Sequence, residues 1–197
     1  TGAELWRFEA RYMPASPAVV DGVVVVGAYD ERLYALDATD GNELWNVTVG
    51  EGGIYSSAAV KRRASPTYTM AFVGDNGGRL SMVYNGAVLN TWELGSAVKS
   101  SPIYLFNLTD ALPRPPPLDA VIVGTEAGEV VAVNPSYNAT DEFYGPEYRW
   151  RLGLGTSVTA SPFMYNERVY ISASDGERGI VACIGDLMYG EVAVAID

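Results

Sequence analysis

The sequence has no histidine and only one cysteine, Cys183. Without imidazole, the chain cannot form Ser-His-Asp or Cys-His nucleophile arrangements, nor the usual zinc sites. A lone thiol excludes an intrachain disulfide and any Cys-x-x-Cys metal or redox pair. We therefore predict that the chain carries no catalytic residue, no metal site and no cofactor.

Basic residues are also scarce, with 13 Lys and Arg against 24 Asp and Glu, which gives a formal charge of −11. Such a surface repels phosphates and supplies few cations for counterion release, so nucleic acid is excluded as a partner. No apolar stretch approaches the roughly 20 residues of a membrane span. The chain opens at Thr1 without an initiator methionine, and we expect a leader or a larger region upstream of it.

What the sequence does contain is one unit written four times. Each copy has an apolar run that ends in a small residue, then a polar turn, then a second apolar run. We take as marker residues Gly27, Gly74, Gly124 and, in a looser copy, Ala173, which are 47, 50 and 49 residues apart. Repeats of this length are a signature of stacked architectures.

Two further sequence features recur with the same spacing as the marker residues. One is a Ser-Pro pair or its equivalent, at Ser16-Pro17, Ser57-Ala58, Ser101-Pro102 and Ser161-Pro162. The other is tryptophan, since all four in the chain fall at one repeat position: Trp6, Trp45, Trp92 and Trp150. Because the marker residues, the Ser-Pro pairs and the tryptophans recur at the same positions of each repeat, the four tryptophans are not four unrelated core residues.

Within each unit the periodicity is that of β-strands, and we predict almost no helix. Asp21-Gly22 and Asn85-Gly86 are pairs that favour tight hairpin turns, and Asn166-Glu167 occupies the same place in the fourth unit. Each unit thus contains four strands: one after Ser-Pro, one ending at the marker, one after the polar turn, and one carrying Trp. Four strands in 40–50 residues are typical of a β-propeller blade.

The residues Ser16–Val19, Leu33–Asp37 and Asp40–Trp45 resemble the pyrroloquinoline-quinone-type (PQQ-like) propeller repeat. The resemblance implies an all-β propeller of about four four-stranded blades, either complete or part of a seven- or eight-bladed ring. It also implies that the tryptophans pack between blades, as structural rather than cofactor-stacking residues. Catalytic members of the family use adjacent disulfide-bonded cysteines, Ca²⁺ and an Asp base, and the single cysteine separates this chain from them.

The repeat predicts a single propeller region over residues 1–197. Its parts are residues 1–8, the last strand of a preceding blade, and blades over 9–50, 51–95, 96–152 and 153–197. Ring closure has two accounts: residues 2–8 complete the fourth blade, or Glu191–Ile196 already completes it and the preceding blade is absent. In the second account the chain is a fragment or one half of a homo-oligomer.

Two insertions interrupt the third unit, and insertions in repeat proteins map to loops. The first contains Pro113, Arg114, Pro115, Pro116 and Pro117, which favour polyproline II. This segment either stiffens its loop, the simpler interpretation, or docks in an aromatic groove of a partner. The second covers residues 134–148 and mixes aromatic with acidic residues; it either binds a ligand or packs on its own sheet.

Three N-glycosylation sequons occur, at Asn46, Asn107 and Asn138, against about one expected by chance from the composition. They indicate an exported protein, extracellular or in the cell envelope, although Asn46 falls inside a predicted strand. Our first hypothesis is a non-catalytic scaffold that binds protein partners. The alternatives are a fragment of a quinoprotein dehydrogenase and an extracellular sensor domain of a receptor.

Overall fold

The computed structural model describes residues 2–64, 67–108, 118–135, 148–186 and 191–196. Within these residues, every helix or strand assigned is a β-strand, and the strands form four antiparallel sheets of four. The predicted all-β fold of four-stranded blades is therefore confirmed. No helix in this part of the chain has the length and apolar character needed to cross a membrane.

The chain divides into two compact units, Thr1–Ala97 and Val98–Asp197. Unit 1 contains β1 (Ala18–Val20), β2 (Val23–Gly27), β3 (Arg32–Asp37), β4 (Glu43–Thr48), β5 (Ala59–Ala64), β6 (Thr67–Gly74), β7 (Arg79–Tyr84) and β8 (Ala87–Glu93). Unit 2 contains β9 (Ile103–Leu108), β10 (Leu118–Gly124), β11 (Glu129–Val133), β12 (Tyr148–Gly153), β13 (Phe163–Tyr165), β14 (Arg168–Ser174), β15 (Gly179–Asp186) and β16 (Glu191–Ile196). Each sheet takes four consecutive strands in sequence order.

The predicted hairpin turns lie where the sequence placed them. Asp21 and Gly22 have φ angles of 43° and 78°, and Asn85 and Gly86 have 47° and 80°. These left-handed values are what a two-residue turn between twisted strands requires. The hairpins fix the register of β1 with β2 in the first sheet and of β7 with β8 in the second.

In unit 1 the two sheets pack face to face. Val25 and Leu33 of the first sheet share one core with Ala71 and Val83 of the second, and Ile54 lies between them. The opposite face of the first sheet is covered by residues 6–13, which pack on a second group of side chains. These side chains are Val24, Val26, Tyr34 and Leu36.

In unit 2 the third and fourth sheets form an equivalent core. Ile122 and Val130 pack with Val169, Ile171 and Ala173. Because Ala173 is buried in this core with Val169 and Ile171, the prediction that Ala173 is the fourth marker residue is wrong. The backbone N–H of Asp175 bonds to the carbonyl of Arg178 as Thr125 bonds to Glu129, so Ser174 corresponds to Gly124 and the repeat is 50 residues long here.

The marker glycines leave room for the following repeat. A Cβ atom on Gly27 would lie 2.3 Å from Cγ2 of Ile54, and one on Gly124 would lie 2.2 Å from Cγ1 of Val158. Both neighbours belong to the segment that leads into the next sheet. Ser174 is exposed and carries its side chain at this position, which explains why the fourth copy is looser.

The last sheet obtains its fourth strand from the end of the chain, as the second account of ring closure predicts. Glu191–Ile196 pairs with β15 and fills the fourth place in the last sheet, so the account in which residues 2–8 complete that sheet is wrong. Residues 2–10 form no ladder with any described strand. Trp6 nevertheless lies against Gly41 as Trp45 lies against Gly86, and the assignment of residues 1–8 to a preceding blade stays a prediction.

Several predicted features lie outside the described residues. They are the proline segment Pro113–Pro117, Asn138, and residues 136–147 of the second insertion. Asn107 lies in β9. Asn46 lies in β4, where its side-chain amide donates to Glu43 and its carbonyl oxygen accepts from Arg32; glycosylation remains a prediction at all three asparagines.

Candidate functional site

The structural role of the four tryptophans stays a prediction, and the structure shows where each of them lies. Trp45, Trp92 and Trp150 lie on the fourth strands of the first three sheets. Trp92 and Trp150 are buried, and the indole N–H of Trp6 donates to the carbonyl oxygen of Ala38 at 3.0 Å. The indole N–H of Trp92 is buried without a hydrogen-bond partner in the described part of the chain, so its contribution is packing alone.

The serine of the Ser-Pro pair links consecutive sheets, a role that the sequence did not reveal. The backbone N–H of Ser16 donates to Oγ of Ser57 at 3.0 Å in unit 1. In unit 2 the backbone N–H of Ser101 donates to Oγ of Ser161 at 3.1 Å. A hydroxyl from the next repeat thus satisfies a backbone donor that would otherwise need water.

The carboxylate of Asp75 binds the backbone of its own turn and of the segment that follows β4. Its carboxylate oxygens accept from the backbone N–H groups of Arg79 at 2.9 Å and Glu51 at 3.3 Å. Burial raises the pKa of Asp75, while these two hydrogen bonds oppose the rise. In the fourth sheet, Asp175 binds the N–H groups of Arg178 and Glu177, which lower its pKa.

The first repeat departs from the others at its polar turn between β2 and β3. Tyr29 stands where the second and third repeats have Asn76 and Glu126. Glu31 stands where they have Gly78 and Gly128, as the hydrogen bonds to these carbonyls show. The φ angle of Glu31 is 70°, against 91° and 90° for the two glycines, and a glutamate in this left-handed region is uncommon.

The segment that follows β4 differs as well. Val49 and Ile54 bond to the first turn as Leu154 and Val158 bond to the third. Four residues separate the first pair and three separate the second. The longer segment includes Gly52 and Gly53, with φ angles of 78° and 85°, and the N–H of Gly52 donates to Oε1 of Glu31 at 3.2 Å.

These departures bring aromatic side chains together on one exposed surface. The ring centroids of Tyr12 and Tyr29 are 6.3 Å apart, and those of Tyr29 and Tyr55 are 5.8 Å apart in an edge-on arrangement. Arg11 lies over the ring of Tyr29, with its guanidinium carbon 5.8 Å from the centroid. Tyr12 is 65% exposed and Tyr29 is 37% exposed. We call Arg11, Tyr12, Tyr29, Glu31 and Tyr55 the tyrosine surface.

Sequence reasoning missed the tyrosine surface because its members come from three separate segments. One signal was available in the repeat alignment. Tyr29 is aromatic where the second and third repeats are polar, and Glu31 stands where they have glycine. Such departures indicate that the residues of this turn serve a purpose beyond forming the turn. A longer connecting segment in the same repeat is a second signal.

The donor set does not fit the calcium and quinone chemistry of catalytic PQQ-like proteins. Among the described residues, no group of three or more His, Cys, Asp or Glu side chains is placed to hold a metal ion. The best buried carboxylate, Asp75, has both oxygens engaged by backbone N–H groups.

Comparison with solved structures supports the propeller fold. BamB from Moraxella catarrhalis matches with a TM-score of 0.67 and 18% identity over 97% of this chain and 52% of that one. A computationally designed protein, Ika4, matches with a TM-score of 0.65 and 19% identity over 92% of this chain and 98% of that one. The WD40 β-propeller domain of Doa1 matches with a TM-score of 0.63 and 13% identity over 91% and 52%.

Among curated proteins, the dehydrogenase XoxF of Paracoccus denitrificans is 28% identical over 111 residues, which are 50% of this chain and 18% of that protein. The chain therefore spans about half of the BamB structure and under a fifth of the dehydrogenase. A family model described as outer membrane protein assembly factor BamB matches residues 1–115. Since this match covers more than half of the sequence, the chain belongs to that family of PQQ-like repeat proteins.

Proposed function

We propose that the chain is a non-catalytic, protein-binding part of a propeller that acts as a scaffold in the cell envelope. The observation that carries the proposal is the tyrosine surface, where departures from the repeat meet in one exposed place. Tyrosine and arginine are enriched in protein interfaces because they offer large contact areas together with polar groups. The family description, an outer membrane assembly factor, supports both the scaffold and the envelope location.

Site-specific photo-cross-linking tests the proposal. A photoreactive phenylalanine analogue replaces Tyr12 in the full-length protein expressed in its source organism. The matched control places the analogue at Tyr165, which is 62% exposed in the fourth sheet. We expect a defined protein adduct at position 12 and a different pattern at position 165. Identical adducts at both positions, or none at position 12, would contradict the proposal.

The second candidate is a segment of a quinoprotein dehydrogenase. It is favoured by the partial match to XoxF. The test adds pyrroloquinoline quinone and Ca²⁺ to the full-length protein and follows dye-coupled alcohol oxidation. Turnover above that of a protein-free control would establish this second function and overturn the non-catalytic assignment.

A further inference from the structure

The tyrosine surface combines aromatic faces with carboxylates. Glu31 lies two residues after Tyr29 in the same turn, and its Oε1 atom accepts from the N–H of Gly52. Glu51 precedes Gly52, and its Oε1 atom lies 3.4 Å from Nη1 of Arg79. Its side chain is nevertheless 73% exposed, so the carboxylate can accept a second cation. A Cβ atom on Gly53 would lie 2.6 Å from the ring of Tyr29, so the carboxylates and the rings border the same piece of backbone.

A cationic side chain of the same protein already lies over one of these rings. The guanidinium of Arg11 lies over Tyr29, in the geometry by which the electron-rich face of an aromatic ring attracts a positive charge. Arg11 shows that this surface accommodates a guanidinium. The 65% exposed ring of Tyr12 presents further aromatic area beside it.

The charge of the chain favours the same kind of ligand. A net charge of −11 attracts cationic segments at long range and raises their rate of encounter. Carboxylates beside aromatic faces then hold a guanidinium or ammonium group from two directions. Neutral and acidic ligands gain neither contribution.

We infer that the tyrosine surface binds an extended segment of a partner protein that carries arginine and lysine side chains. The cationic groups lie on the tyrosine rings and pair with Glu31 and Glu51. This inference rests on the proposed protein-binding function and names the chemistry of the partner.

Fluorescence anisotropy with labelled peptides tests the inference on the purified chain. The probe is an arginine-containing peptide, and its control has citrulline in place of each arginine, which keeps the shape and removes the charge. We expect the arginine peptide to bind at least tenfold more tightly than the citrulline peptide. Its affinity falls as salt is raised, because exposed charge pairs are screened. Equal affinities for the two peptides would overturn the inference.

Matched variants separate this surface from general attraction to an acidic protein. Tyr29→Asn and Glu31→Gly introduce the residues of the second repeat, and each should lower the affinity for the arginine peptide about tenfold. The controls are Tyr165→Asn and Glu177→Gly, which make the same changes on the fourth sheet and should leave affinity unchanged. Equal effects of the two pairs would overturn the inference.

The two proposals fail in distinguishable ways. A cross-linked protein at position 12 whose contacting segment is neutral or acidic would leave the scaffold function standing and overturn the basic-partner inference. Binding of a neutral oligosaccharide at the arginine-peptide affinity, abolished by Tyr29→Asn, would also overturn it.

Discussion

At the scale of single residues, the marker glycines are the positions with the least tolerance. The Cβ of an alanine at position 124 would lie 2.2 Å from a methyl group of Val158 and 3.0 Å from its carbonyl oxygen. A close contact with backbone as well as side chain cannot be relieved by a rotamer change alone. The glycine is therefore required by packing between repeats, and Ser174 shows what the same position accepts where that packing is absent.

We expect Gly124→Ala to lower the free energy of unfolding by about 1–3 kcal/mol, the usual cost of overpacking. Urea denaturation followed by tryptophan fluorescence measures the change. Gly153→Ala is the control, because a Cβ there meets nothing within 4 Å. Equal stabilities of the two variants would contradict the packing role of Gly124.

Tyr34 is the second residue with a measurable signature. Burial, reinforced by its hydrogen bond to Asp30, raises the pKa of Tyr34 from 10.0 to about 12. A raised pKa means that the folded state keeps the proton longer than the unfolded state. The resulting stability is fully present below pH 10 and is lost as the pH rises through about 12.

Tyr34→Phe removes this contribution. We expect the free energy of unfolding to fall less steeply with pH in the variant than in the wild type between about pH 10 and pH 12. Denaturant unfolding at several alkaline pH values measures the slope, and tyrosinate absorbance identifies the late-titrating ring. Parallel slopes for the two proteins would show that Tyr34 titrates normally.

At the scale of secondary-structure elements, the turn between β2 and β3 has Glu31 at a left-handed position where the second and third repeats have glycine. Glycine enters the left-handed region without the steric cost that Glu31 carries at a φ angle of 70°. Glu31→Gly relieves that cost and loses the hydrogen bond to Gly52. We expect the unfolding free energy to stay within about 1 kcal/mol of the wild type, as measured by thermal denaturation.

A change of this size leaves the fold intact, so loss of peptide affinity in the same variant reports on binding. Destabilisation by several kcal/mol would instead mean that Glu31 is needed for the turn. The second and third repeats, which form the same turn with glycine, provide the internal comparison.

The strands and hairpins were predictable because their signals are local. The apolar runs of β2 and β3 and the pair Asp21-Gly22 specify their conformation within a few residues. The fourth marker residue was predicted one position too early. In β14, small residues alternate on both faces, and only the burial of Ile171 and Ala173 against the third sheet distinguishes the two registers.

The candidate site was predictable only in part. The lack of histidine and of a second cysteine excludes imidazole and paired-cysteine chemistry, and the repeat indicated a structural role for the tryptophans. It did not bring Tyr12, Tyr29 and Tyr55 together, because their contact depends on the path of the segment through Gly52 and Gly53. The left-handed glycines set the path of this connection, and the periodicity of neighbouring residues does not predict that path.

At the scale of the whole molecule, the last sheet presents an uncovered apolar face. Phe163, Tyr165 and Val181 are 67%, 62% and 56% exposed. Phe163 and Tyr165 are two residues apart on one strand and therefore share a face. Exposed apolar patches of this kind favour association with another protein surface.

We expect the purified chain to associate with a second copy in a concentration-dependent way through this face. The triple variant Phe163→Ser, Tyr165→Ser, Val181→Ser should shift the mass towards the monomer in light scattering after size exclusion. The matched control is Leu5→Ser, at a position 88% exposed in unit 1. An unchanged mass distribution in the triple variant would contradict association through the last sheet.

The serine link between sheets has a consequence for how such a chain changes over evolutionary time. In each unit, the second repeat supplies the hydroxyl that a backbone N–H of the first repeat needs. Duplication of a whole repeat within a unit therefore keeps every donor matched, whereas gain of half a repeat breaks the match. Tandem duplication of whole repeats is the change in length that this chemistry permits, and the near-constant spacing of Gly27, Gly74, Gly124 and Ser174 is consistent with it.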